Sequence, residues 1–308
     1  MSSLVVNTNV ASMNAQRSLM ASSKELQSAM ERLSTGKKIN SAADDAAGFA
    51  IAESMTAQVR GLSMAAKNAN DALGLLKVVE NATNDVTDML QRIRELAVQA
   101  QSGTNSTGDI ANLQLEANAL IDEIIRVSED TSYNGTFYLN SDQTVNIQVG
   151  YNDGDVISVN TFDIHARNLG VFIEDTATEG DDILIKLKDG DNYLQIDQTA
   201  VAAVAEDADA GVDAANRVPG ALEVISAAID QVASYKAEWG AGQNRLQYTV
   251  ANLMNVVEFT TAARSRIQDA DFAVEAARLA KAQVLQQTGT AMLAQANAAP
   301  QLALQLLK

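Results

Sequence analysis

The stretch ALGLLKVVENATNDVTDMLQRIRELAVQA, Ala72–Ala100, decides the fold. Ala72, Leu76, Val79, Thr83, Val86, Leu90, Ile93, Ala97 and Ala100 recur at alternating steps of four and three, the spacing of one helix face. Working outward, neither proline nor a turn cluster interrupts the chain from about Asp45 to Gln101. The spacing therefore predicts a single helix, roughly 80 Å long at about 1.5 Å per residue. A lone helix gains little in water, so this seam requires partners.

Toward the N-terminus, Leu19, Leu26 and Leu33 lie seven apart with Met30 four after Leu26, a heptad seam that Gly36 ends in the Thr35-Gly36-Lys37 turn. Ser41 with Asp44 three residues on resembles a capping box, with Asp in place of Glu. Beyond the polar loop Ser102–Gly108, a shorter helix carries Leu113, Leu120, Ile121, Ile124 and Val127 on its apolar face. The period then changes to two. Val145, Ile147 and Val149 alternate with polar residues, Tyr151–Asp155 carries turn chemistry, and Val156, Ile157 and Val159 follow, so a hairpin is expected. Further strands fit at Val171–Ile173, Ile183–Leu187 and Tyr193–Ile196, with the Asp189–Asn192 turn joining the last two. Helical period resumes near Pro219, a first-turn proline. Leu222, Ile225, Ile229 and Val232 form one face, and Leu246, Val250, Leu253, Val257 and Thr260 another. Trp239-Gly240-Ala241-Gly242 between them reads as a kink or a close-packing spot. The last stretch, from about Asp269, is rich in Ala and Gln and ends in a Leu-rich tail.

Composition narrows the function. The 308 residues are 47% hydrophobic but only 4% aromatic, with two prolines, so long helices packed through small residues are favoured over a core of large rings. Net charge is −17, which argues against a nucleic-acid partner. Sixteen Asp/Glu against three Lys/Arg fall in 141–214, a solvated outer face by its charge. Both ends, 1–44 and 265–308, are nearly neutral and aromatic-poor, and are expected to stay mobile until neighbours arrive. With no cysteine there are no disulfides and no thiol chemistry. The start, MSSLVVNTNVASMN, has no basic segment and no long apolar run, so no cleavable secretory signal and no membrane insertion are expected.

Several of these stretches resemble bacterial flagellin, the subunit of the flagellar filament. They are Ala29–Gly48 (AMERLSTGKKINSAADDAAG), Gly61–Ala72 (GLSMAAKNANDA), Leu90–Gln99 (LQRIRELAVQ), Ile124–Gly135 and Ile147–Ser158 (IQVGYNDGDVIS). At the other end are Gly242–Gln247 (GQNRLQ), Ala263–Phe272 (ARSRIQDADF) and the run AQVLQQTGTAMLAQANAAPQ within Ala282–Leu307. The resemblance spans roughly 1–165 and 213–308, and only 166–211 depart from it. It implies a mainly α fold: a long antiparallel coiled coil or bundle of paired N- and C-terminal segments, a β-hairpin region and a small β-rich central insertion. The implied domains are an inner-tube terminal domain (1–44 and 269–308), a helical rod with the hairpin (45–165 and 212–268), and a variable surface insertion (166–211). The implied terminal assembly seam is Leu19, Leu26, Met30, Leu33, Leu285, Met292, Leu302 and Leu306.

By the same resemblance, the subunit polymerises with itself into an extracellular filament for swimming. It is served by an export chaperone and the type III export apparatus, and assembles with the filament cap and hook–filament junction proteins. Such an open polymer follows when unlike faces bury against unlike neighbours without closing. A junction protein is the alternative reading, since its termini resemble flagellin. Gln91, Arg92, Glu95 and Leu96 lie largely off the Val86–Leu90–Ile93–Ala97 seam, and match the segment that the vertebrate innate flagellin receptor recognises. Glu116 on the next helix contributes.

No residue set suggests an enzyme, a cofactor or a metal. His165 is the single histidine, too few for H-E-x-x-H, and is expected as a surface or hairpin residue. Asp153/Asp155 and Asp189/Asp191 lack the closing Glu of a calcium loop and fall at turns. Asp44 and Asp45 suit a helix start.

Overall fold

The computed structural model describes residues 8–173, 183–190, 192–197 and 220–305. Among them are five helices: α1 (Val10–Thr35), α2 (Ala46–Ala100), α3 (Thr107–Asp130), α4 (Ala221–Gln268) and α5 (Phe272–Gln305). The strands form four two-stranded antiparallel ladders: β1 (Ser132–Tyr133) with β2 (Thr136–Phe137), β3 (Gln143–Gln148) with β4 (Val156–Thr161), β5 (Gly170–Ile173) with β6 (Ile183–Lys186), and β7 (Lys188–Asp189) with β8 (Asn192–Tyr193). The chain packs as two compact units, Met1–Arg60 with Asn255–Lys308, and Gly61–Met254.

The unit of 61–254 holds the large core. All nine seam residues from Ala72 to Ala100 are buried, and the cluster that holds the eight apolar ones includes Ile121 and Ile124 of α3 and Val224, Ile225, Ala228, Val232, Trp239 and Leu246 of α4. The expected β3–β4 hairpin is present in the register Val145↔Val159 and Ile147↔Ile157. Its turn runs through Asp153 and Gly154, with Gly154 at φ 87°. Trp239 pins this hairpin to α4: its indole N–H donates to the Asn160 carbonyl at 2.9 Å, beside a Phe162–Tyr235 stack with centroids 4.2 Å apart. Gly61 leaves room for Tyr151, whose Cβ would lie 2.7 Å from an added methyl.

One open reading is decided, two expectations change and one hairpin is new. Helix α4 runs unbroken through Trp239–Gly242, which is therefore a packing position. Residues 183–186 pair with 170–173, and the Asp189–Asn192 turn joins only the two-residue strands β7 and β8. A hairpin unforeseen by period counting is β1–β2, closed by Asn134 and Gly135 at φ 52° and 80°, the Asn-Gly pair that such two-residue turns favour. The expectation of a purely surface insertion fails for its described part. Ala166, Leu169, Leu187, Leu194 and Ile196 are buried in the main cluster, because an acidic composition does not prevent a few apolar side chains from docking. Pro219, Asp191 and the rest of 198–219 lie outside the described residues.

In the unit of 1–60 and 255–308, α1 pairs with α5. Gly36 at φ 71° closes α1, its N–H donating to the Arg32 carbonyl at 2.9 Å. The connections on either side of the pair are zipped to each other. Lys38 N–H donates to the Gln268 carbonyl (2.7 Å) and Ala270 N–H to the Gly36 carbonyl (2.9 Å). Helix α2 is not started by Ser41. The Asp44 carboxylate accepts from the Asn40 and Ser41 N–H groups, which hold it below its usual pKa, while Asp45 accepts from Gly48 N–H and caps the helix from Ala46.

Candidate functional site

The terminal pair is built from small residues. The inward stripe of α1 is Ala15, Leu19, Ser22, Leu26, Ala29 and Leu33, with Ser22 and Ala29 fully covered. That of α5 is Glu275, Leu279, Ala282, Gln286, Gly289 and Leu293. Small side chains let the helices approach closely: Ser22 Oγ donates to the Ala282 carbonyl at 3.3 Å, and Leu19 lies 3.1 Å from where a Gly289 Cβ would be. Asn9 caps α1 and also donates to the Ala296 carbonyl at 2.8 Å.

Leu19, Leu26 and Leu33 therefore sit on the seam. Met30, Leu285 and Met292 do not, and are 47%, 42% and 64% exposed. Met30 is one residue past the Ala29 seam position and points away. Leu285 and Met292 instead line an open groove with Ala15 and Ser18 of α1. The Leu302 side chain and Leu306 lie outside the described residues. Heptad counting centred on leucine passed over Ser22, Ala29, Ala282 and Gly289, whose own sevenfold spacing was the available signal.

The second surface lies where α2 meets α3. Arg92 is half exposed and forked between two carboxylates, Nη1 to Glu95 at 2.9 Å and Nη2 to Glu116 at 2.9 Å. Those two acceptors raise its pKa, Glu95 foremost. Gln91 is exposed beside it. Leu96 is corrected: it is 1% exposed and belongs to the core, because position 96 adjoins the seam residues 93 and 97 on a helix that buries a broad stripe. The exposed apolar groups here are Val98 and Leu115, 56% and 67% exposed. Val98 stands a heptad after the exposed Gln91, the spacing from which its exposure could be read.

A third cluster fastens the central segment to α3. Lys188 Nζ donates to Asp122 Oδ1 at 2.8 Å and lies 4.1 Å from the Tyr193 ring centre, while the Tyr193 hydroxyl donates to the same carboxylate at 2.7 Å. The ammonium of Lys188 holds Asp122 below its usual range, and Asp122 raises Lys188 in return. Gln114 extends the fastening, donating to the Leu194 carbonyl (3.0 Å) and accepting from Ile196 N–H (2.9 Å). His165 is likewise corrected. It is 8% exposed, with Nδ1 accepting from Arg167 N–H (3.2 Å) and Nε2 3.4 Å from Glu129. It packs where the chain turns inward after β4, a burial that carries no periodic signal.

Paired terminal helices, and a separate unit of long helices with a β-hairpin, are what the quoted motifs imply, and the matching family is the same. The bacterial flagellin N-terminal helical region matches residues 6–144, and the bacterial flagellin C-terminal helical region matches residues 222–307. A flagellin of Serratia marcescens is 40% identical over 350 aligned positions, covering 99% of both chains. The chain belongs to the flagellin family. A flagellin of Bacillus subtilis (strain 168) is also 40% identical, over 98% of this chain and 99% of its own. A crystal structure of Bacillus cereus flagellin is 25% identical, covers 61% of this chain and 88% of that one, and superposes with a TM-score of 0.43. Flagellins are structural proteins, and among the described residues no helix is long and apolar enough to cross a membrane.

Proposed function

We propose that this chain is the subunit of a bacterial flagellar filament, an open helical homopolymer that drives swimming. The observation that carries it is the match to both terminal regions of flagellin in one chain, aligned end to end with flagellins of similar plan. Exposed apolar side chains on the terminal helices support it: Met13, Met20, Met30, Leu285 and Met292 offer surface that a neighbouring copy would bury. The residues 1–44 and 269–308 form the inner part of the polymer. The subunit works outside the cell, has no catalytic role, and reaches the growing tip through the type III export apparatus with a chaperone, meeting the cap and the junction proteins there.

Gln91, Arg92, Glu95 and Glu116 form the surface presented to the vertebrate innate flagellin receptor, with the exposed Val98 and Leu115 supplying apolar contact beside them. An Arg fork suits carboxylate or backbone acceptors on a partner. Expression in a flagellin-null swimmer tests the main reading. Restored swimming through filaments containing this chain is expected, and secreted but unassembled protein would overturn it.

A further inference from the structure

Helices α1 and α5 carry sevenfold repeats that fit more than one stagger. On α1, Leu19, Leu26 and Leu33 repeat every seven residues, and so do Ser22 and Ala29. On α5, Leu279 and Leu293 are two heptads apart, and Ala282 and Gly289 one heptad. A slip of one heptad therefore returns small residues to small positions on both helices and leucines to leucine positions on α1, while on α5 it sets Gln286 where a leucine stood. Registers of this kind are fixed by a polar residue set into the seam.

Two polar residues stand in the α5 stripe, the half-buried Gln286 and the buried, charged Glu275. Glu275 occupies the stripe that continues as Ala282 and Gly289, yet it carries a charge and is 4% exposed. Its Oε1 accepts from Arg32 Nη1 at 3.4 Å across the pair and from Arg278 Nη1 at 2.9 Å on its own helix. Glu275 Oε2 and Arg32 Nε are buried with no hydrogen-bond partner. A pair that leaves two buried polar atoms unsatisfied is a poor source of stability, since an apolar pair of the same size commonly does as well or better. Its value lies elsewhere. Seven residues from Arg32, the groups that a slip would bring opposite Glu275 are Glu25 and Ile39, a like charge and an apolar chain.

We propose that the Arg32–Glu275 ion pair is the register lock of the terminal helix pair, favouring one stagger where the heptads allow several. The backbone bonds between 36–39 and 268–270 define the same stagger just outside the helices, and the ion pair carries it into them.

The chain has no cysteine, so paired cysteines can report the stagger directly. Ser22→Cys with Ala282→Cys reads the native register. Ala29→Cys with Ala282→Cys reads a slip of one heptad, a native offset of about 10 Å along the axis and beyond the roughly 7 Å Cα reach of a disulfide. Both pairs are placed in the full-length chain, with and without Arg32→Met/Glu275→Leu, and are oxidised in sedimented and soluble fractions separately. The native background should give the 22–282 bridge alone. The double substitution should raise the 29–282 bridge about tenfold or more, as expected when a preference near one decade is removed. An unchanged 29–282 yield would show that the backbone bonds alone set the register, and loss of both bridges would show that the pair is needed for association itself; either overturns the lock. If the double variant fails to fold by circular dichroism, Glu275→Gln takes its place with the same readout. The inference rests on the intrachain pairing rather than on polymerisation, so a chain that bridges only at 22–282 but never sediments contradicts the filament reading and leaves the lock intact.

Discussion

Truncating Leu187 or Ile196 should destabilise the unit of 61–254 although both lie in the segment that composition marks as a surface insertion. Each side chain is fully buried and belongs to the main cluster with Ile121, Ile124 and Trp239. Replacing a fully buried Leu or Ile with Ala costs about 2–5 kcal/mol through lost transfer energy and the cavity left behind. Against a whole-domain stability of about 5–15 kcal/mol, either change removes a large share. With a urea dependence near the upper end for a unit of this size, about 3 kcal/mol per molar, the midpoint should fall by about 0.7–1.7 M in far-UV circular dichroism of the monomer. The fastening on α3 adds a pH signature. Lys188 holds the folded-state pKa of Asp122 below its unfolded value, so its contribution is present above roughly pH 4 and is lost as the pH falls through the folded pKa. Asp122→Asn should therefore lower the midpoint at pH 7, and the difference from wild type should shrink as the pH falls through the folded pKa. The Asp122 side chain is 52% exposed, so this effect should be much smaller than that of Leu187→Ala. If Leu187→Ala and Ile196→Ala each cost less than about 0.5 kcal/mol, the level of an ordinary surface change, the segment is not part of the core and the reasoning fails.

Trp239→Phe should cost about 1–2 kcal/mol, by stranding the Asn160 carbonyl and shrinking the ring, and Trp239→Ala about 3–5 kcal/mol; an unchanged midpoint for Trp239→Phe in urea titration would discount the indole bond. Arg92→Ala monomer should activate the innate receptor at least about tenfold less in a reporter-cell titration and should impair swimming, whereas a wild-type titration would remove Arg92 from the surface. Leu96→Ala, by contrast, should act through folding, lowering monomer stability by about 2–5 kcal/mol. Deleting residues 301–308 should abolish polymerisation with far-UV signal nearly unchanged, and normal filaments from the truncated chain would contradict this.

The helices were legible because their signal is periodic. Nine seam residues of α2 could be named from spacing alone, and Gly36 announced the end of α1 by needing a positive φ. Side chains beside a seam were not legible. Leu96 follows Ile93 by three and precedes Ala97 by one, and only a helix with several neighbours buries both 96 and 97. The cap expected at Ser41 lies four residues early, because Ser41 and Asp44 make their own turn and it is Asp45 that meets the first free N–H groups. Strand partners were misassigned where a turn signal at Asp189–Asn192 suggested the neighbour in sequence, while residues 183–186 paired backward with 170–173. For the terminal surface, leucine spacing located one side of the seam but not the outward Met30, Leu285 and Met292, since the close contacts are made by alanine, serine and glycine, which carry little hydrophobic signal.

The most direct test of the central claim is electron microscopy of the purified full-length chain after seeding with short filament fragments. The account predicts long filaments of uniform diameter with helical symmetry, growing at the seed ends and depleting the soluble protein. Closed oligomers of fixed size, or monomer that stays soluble beside intact seeds, would contradict it.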